Sequence, residues 1–91
     1  MPDRPKIASR TRWTVESAGI LILSAQGNGE LLTGLEAVVW DLITRGNGSQ
    51  RVIEKLAVIG VISNDEAGKV VADCLRTWAA NGWLTERTNR G

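Results

Sequence analysis

Apolar and polar positions along the chain follow a period of two before Thr33 and a helical period after it. From Arg12 to Glu16 the residues alternate. Trp13 and Val15 fall on one side and Arg12, Thr14 and Glu16 on the other, the pattern of a half-buried strand. Ser17-Ala18-Gly19 can turn the chain. Ile20-Leu21-Ile22-Leu23 is an apolar run rich in β-branched residues, suited to a central strand. Gln26-Gly27-Asn28-Gly29 follows, and Asn-Gly tolerates the positive φ of a tight hairpin turn. Glu30 to Leu32 then makes a further strand, the last of a meander and therefore its edge.

The second half predicts helices. Thr33 and Glu36 stand three apart, the spacing of a capping box, so a helix opens at Gly34 with Leu35, Val38, Val39, Leu42 and Ile43 on one stripe. Gly46-Asn47-Gly48 breaks it. Ser49 is placed to cap a second helix with Val52, Ile53, Leu56 and Ala57 on one face, ended or weakened by Gly60. Ser63 and Glu66 repeat the capping-box spacing. The helix they open buries Ala67, Val70, Val71, Cys74, Leu75 and Trp78, with Glu66, Lys69, Asp73, Arg76 and Thr77 on the opposite side. Asn81-Gly82 stops it, and Trp83-Leu84 packs back. Trp40 falls off its helix's stripe, and we expect it buried against the sheet, since an uncovered tryptophan would leave a sticky patch.

The predicted fold class is α+β: a small winged helix-turn-helix-like domain, a three-stranded antiparallel meander followed by three helices. Residues 1–11 read as a flexible N-terminal arm, 12–84 as the domain and 85–91 as a polar tail.

Composition narrows the function. At 91 residues the chain supports one modest core. Eleven basic against ten acidic residues give a net charge of +1, which favours neither a phosphate backbone nor a membrane surface. No signal peptide and no run of membrane-spanning length stands in the sequence, so a cytoplasmic location is expected. Cys74 is the single cysteine, which excludes an internal disulfide, and its apolar helical setting reads as a buried thiol. Histidine is absent, which removes the commonest general base and metal ligand.

No catalytic, metal or cofactor constellation emerges. Gly27-Asn28-Gly29 and Gly46-Asn47-Gly48 lack the continuation of a phosphate loop and read as turns. Asp65-Glu66 is an acidic first helical turn, the ordinary response to the helix dipole. What remains is the Glu30–Leu32 edge. Its unpaired main-chain groups beside a helix would template an incoming extended peptide by β-augmentation. The same edge could equally be short and inert, or covered by the Met1–Ser9 arm.

The passage Leu32-Thr33-Gly34-Leu35-Glu36-Ala37-Val38-Val39-Trp40-Asp41-Leu42 resembles the L-N-x-x-G/A-x-x-I/V-W-x-L signature of PqqD-like proteins. Ser49 to Leu56 is similar to their second helix. Asp73-Cys74-Leu75 with Trp78 and Gly82-Trp83-Leu84 is similar to their ending. The match spans about Arg12 to Leu84. In place of an aromatic-rich run ending in Asn, this chain has Gly27-Asn28-Gly29-Glu30-Leu31-Leu32-Thr33. The family includes the RiPP recognition elements, which serve ribosomally made and post-translationally modified peptides.

The resemblance implies a non-catalytic protein with no cofactor. Its partners would be the leader of a precursor peptide, taken up as an added strand, and a separate modifying enzyme: a radical-SAM protein, a cyclodehydratase or a leader peptidase. Carried over by position, Glu30, Leu31, Leu32 and Thr33 would offer the strand edge. Lys69, Ala72, Asp73, Arg76, Thr77 and Ala80 would line the helix side, with either flank of that helix open as the groove wall. The rival is a winged-helix DNA-binding regulator. It asks for a basic recognition helix, and the second helix sets Arg51 and Lys55 against Glu54.

Overall fold

Eight elements follow one another in the computed structural model, which describes residues 5–23 and 29–85. They are β1 (Lys6–Ile7), β2 (Arg12–Glu16), β3 (Gly19–Leu23), β4 (Gly29–Leu32), α1 (Gly34–Thr44), α2 (Ser49–Gly60), α3 (Asn64–Ala80) and β5 (Leu84–Thr85). β2, β3 and β4 form an antiparallel meander in that order, and three helices follow, the expected winged-helix-like α+β layout. Gln26 to Asn28 of the predicted hairpin turn lie outside the described residues.

β1 and β5 are additions that the sequence pattern did not suggest. Lys6 opposes Thr85 and Ile7 opposes Leu84, and the Ala8 N–H donates to the Trp83 carbonyl at 2.8 Å. Two-residue strands are too short to show a period, so nothing in the local sequence marks them. Their pairing ties the start of the described chain to the segment leaving α3.

Register sorts the side chains of the meander. Leu32 opposes Ile20 and Glu30 opposes Ile22, so these four share the helix-facing side; Leu21 and Leu31 share the other. Ile20, Ile22 and Leu32 are buried. β2 departs from the half-buried strand expected of it. All five of its residues are exposed, Val15 at 75%. The reason is position: α1 packs on β3, and from β2 Trp13 reaches back to Trp40.

One glycine in the sheet is dictated by contact. A Cβ on Gly19 would sit 2.0 Å from the Leu32 carbonyl oxygen, so β3 and β4 can meet at this end only without a side chain there.

The two predicted capping boxes part company. At α3 the Ser63 hydroxyl accepts from the Glu66 N–H at 3.1 Å, as expected. At α1 Thr33 is extended and its side chain makes no cap bond. Gly34, the first helical residue, has φ +60°, and this left-handed step turns the chain out of the geometry a capping box needs. At α2 the N-cap is Gly48, one residue before Ser49.

All three helices end in the same double bond pattern. At α3 the Gly82 N–H reaches the Ala79 carbonyl and the Trp83 N–H the Trp78 carbonyl, a Schellman motif. Gly46 takes the left-handed place after α1, and Val61 takes it after α2. This motif aims Trp83 back at the core.

Trp40 is fully buried, as expected, and sits at the centre of the core. Trp13, Trp78 and Trp83 meet it edge-to-face, with ring centroids 5.7, 5.1 and 6.2 Å away. All four tryptophans of the chain thus form one cluster that joins β2, α1, α3 and the segment before β5. The Trp40 indole N–H has no hydrogen-bond partner among the described residues.

Candidate functional site

β4 is an edge strand, because it pairs with β3 and with no other described strand. Among the described residues the N-terminal segment does not pair with it, since β1 pairs with β5 instead. The Leu32 carbonyl lies against the Gly19 position and so faces β3. Main-chain groups alternate sides along an antiparallel ladder, which turns the N–H and C=O of Leu31 to the open side.

Beside this edge runs a cleft of about 520 Å³. One wall is Glu30, Leu32, Thr33, Leu35 and Glu36, from β4 and the start of α1; the other is Val70, Asp73, Cys74, Thr77 and Trp78 of α3. The α3 positions recur at three- and four-residue steps, which puts them on one stripe along the helix. Leu32, Cys74 and Trp78 are at once core residues and cleft floor, so the floor is rigid and apolar. The carboxylates of Glu30, Glu36 and Asp73 stand among the lining residues, and among the described residues no lysine or arginine does.

Burial, with the charges of Glu36 and Asp73 adding to it, pushes the Cys74 thiol up from 9.0 to about 11. The thiol therefore stays protonated at neutral pH and is a poor nucleophile. Asp73 is ion-paired with Arg76 one turn on. Neither Glu30 nor Glu36 has an ion-pair partner among the described residues. Among those residues no group of side chains is arranged to hold a metal ion. No described helix is long and apolar enough to cross a membrane.

The residues singled out in the sequence divide as follows. Glu30, Leu32, Thr33, Asp73 and Thr77 line the cleft together. Leu31 borders it through its backbone, while its side chain points to the far face of the sheet and is 44% exposed. Lys69, Ala72, Arg76 and Ala80 are exposed on α3 and are not among the lining residues. Leu35, Glu36, Val70, Cys74 and Trp78 line the cleft and were missed. The helical period had assigned Val70, Cys74 and Trp78 to the core and Glu36 to a cap. The stripe gives which residues are apolar, not how far the neighbouring strand covers them.

No protein-family profile matches the chain, and no curated protein matches it in sequence. Solved structures do match in fold. TbiB1 in complex with the TbiA(beta) leader peptide superposes with a TM-score of 0.84 at 16% identity, over 92% of this chain and 99% of that one. A lasso peptide synthetase B1 complexed with the leader peptide gives 0.83 at 14% identity, over 91% and 99%. The fold implied by the likeness to RiPP recognition elements is thus the fold observed, from end to end of both neighbours.

Proposed function

We propose that this chain binds the leader segment of a ribosomally synthesised precursor peptide and presents it to a separate modifying enzyme. The leader adds as a strand along β4. Its main chain bonds to the outward N–H and C=O of Leu31, and alternate side chains enter the cleft against Leu32, Cys74 and Trp78. The observation that supports this most is the open β4 edge with the α3 wall opposite, in a fold shared with two proteins solved with leader peptides bound.

The chain itself performs no chemistry in this reading. The cleft holds a protonated thiol and carboxylates but no base paired to a nucleophile. Its acidic walls are also the wrong sign for a phosphate backbone, which weighs against the DNA-binding alternative. Ladder bonds and apolar contacts carry most of the affinity, so binding responds only modestly to salt.

The test is a titration of candidate leaders, taken from short reading frames beside the gene, followed through backbone amide shifts. Shifts centred on Glu30 to Thr33 and on the Val70–Trp78 stripe are expected, with the rest of the spectrum still. Saturable binding whose shifts fall on β2 or α2 would place the site elsewhere.

A further inference from the structure

The charge of the cleft is not the charge of the chain. Basic residues outnumber acidic ones by one overall, yet among the described residues the cleft walls carry carboxylates and no cation. Two of those carboxylates are left uncompensated by the fold. Glu36 is free because the capping box it would have joined does not form, and both it and Thr33 turn to the cleft. Glu30 lies on β4 with no ion-pair partner among the described residues. The third, Asp73, already has Arg76.

Their placement follows the strand. Glu30 and Leu32 are two residues apart on the cleft-facing side, about 7 Å along β4. Glu36 follows Leu32 in the chain, in the first turn of α1, and its charge and that of Asp73 both act on the Cys74 thiol. The apolar floor is thus lined by carboxylates from β4, α1 and α3. A peptide paired to β4 presents every second side chain to this side, with the same repeat.

We infer that the segment this cleft selects is cationic: an extended peptide with an aliphatic residue opposite Leu32 and a lysine or arginine two positions to either side, facing Glu30 and Glu36. The inference rests on the leader-binding reading and adds the chemistry of the leader. The aliphatic side chain gains from the floor of Leu32, Val70 and Trp78. The basic side chains lay their methylene stems on the rim and keep their charges half in water. A leader with acidic residues at those positions meets like charge and is rejected.

The experiment is selection of random decapeptides by mRNA display on the full chain at about 0.15 M ionic strength, with the binding place of each winner read from amide shifts. Winners that shift Glu30 to Thr33 should be enriched in lysine or arginine two residues from an aliphatic one. Glu30→Gln and Glu36→Gln should each weaken such a winner about two- to fivefold. The loss should vanish when the matching lysine of the peptide is also replaced by glutamine. Glu16→Gln, an exposed carboxylate on β2, should change nothing. Winners that occupy the β4 edge with neutral or acidic residues at those positions overturn the charge inference and leave leader binding standing. A selection in which no winner shifts Glu30 to Thr33 overturns both.

Discussion

β2 and β4 both end the meander, and each turns a row of main-chain groups away from it. Only one of them has a partner surface opposite. Beyond β4 stands α3, and the two enclose a cleft with a fixed apolar floor. Beyond β2 no other described strand pairs, and all its residues are exposed. An unpaired edge alone offers hydrogen bonds that water offers equally well. An edge with a wall also offers burial for alternate side chains, and burial is what makes capture of a strand favourable. The charges differ in the same sense. β2 carries Arg12 and Glu16 in balance, while the described residues of the β4 cleft carry acids alone.

The largest effect should come where the two edges share a support. Trp40 touches Trp13 of β2 and Trp78 of the cleft floor. Trp40→Ala leaves a large void beneath both and should lower stability by about 3–5 kcal/mol. Far-UV circular dichroism in a denaturant series measures it. A loss below about 1 kcal/mol would mean that the cluster is not the common anchor.

Next in size is a change that reaches β4 and spares β2. Gly19→Ala drives a methyl group into the Leu32 carbonyl, so the two backbones must part at the end of the cleft. A loss of about 1–3 kcal/mol is expected, together with amide shifts larger in β4 than in β2. By contrast, Gly34→Ala meets no atom within 4 Å and should suffer only the left-handed strain, about 1–2 kcal/mol.

These glycines also show what was legible in the sequence. The meander, the three helices and the burial of Trp40 were all legible, because each rests on a period or a turn dipeptide several residues long. Gly34 reads as an ordinary residue after a Thr cap, and only its φ of +60° shows that Thr33 and Glu36 are free. β1 and β5 depend on chain ends meeting in space, which no local pattern encodes. Of the cleft, the edge position of β4 was readable, since an edge follows from strand order. The helix side was half readable. Asp73 and Thr77 line the cleft, whereas Lys69, Ala72, Arg76 and Ala80 are not among its lining residues. The boundary between core and cleft is set by the distance from β4 to α3, and residue type does not report that distance.

A matched pair of prolines separates the two edges directly. Leu31 of β4 has its N–H on the open side, and the same alternation carried across β3 puts the Val15 N–H on the open side of β2. Proline removes that donor in each case and is tolerated on an outer edge. Both variants should fold with similar losses of stability. Leu31→Pro should weaken leader binding about tenfold, a lost ladder bond of about 1 kcal/mol plus the bulk of the ring. Val15→Pro should leave the affinity unchanged. Equal losses from both would erase the distinction drawn between the edges.

The smallest effect is the most local, and it reads the cleft through Cys74. In the folded chain the thiol keeps its proton up to about 11, because burial disfavours the thiolate and Glu36 and Asp73 repel it. In the unfolded chain it ionises near 9.0. Below 9.0 both states hold the proton and the contribution is fully present; between 9.0 and 11 the unfolded state holds fewer protons, so stability falls as pH rises through that window. Denaturant midpoints at about pH 8 and pH 10.5 should therefore drop further for the native sequence than for Cys74→Ala, and equal drops would remove the buried-thiol account. The same thiol reports occupancy. Alkylation of Cys74 should be slow at neutral pH and slower still with leader bound, since the peptide covers the floor. A Val15→Cys reporter on β2, placed in the Cys74→Ala background, should react at one rate with or without leader. Protection at both positions would mean that the peptide closes over the whole sheet rather than entering the cleft beside β4.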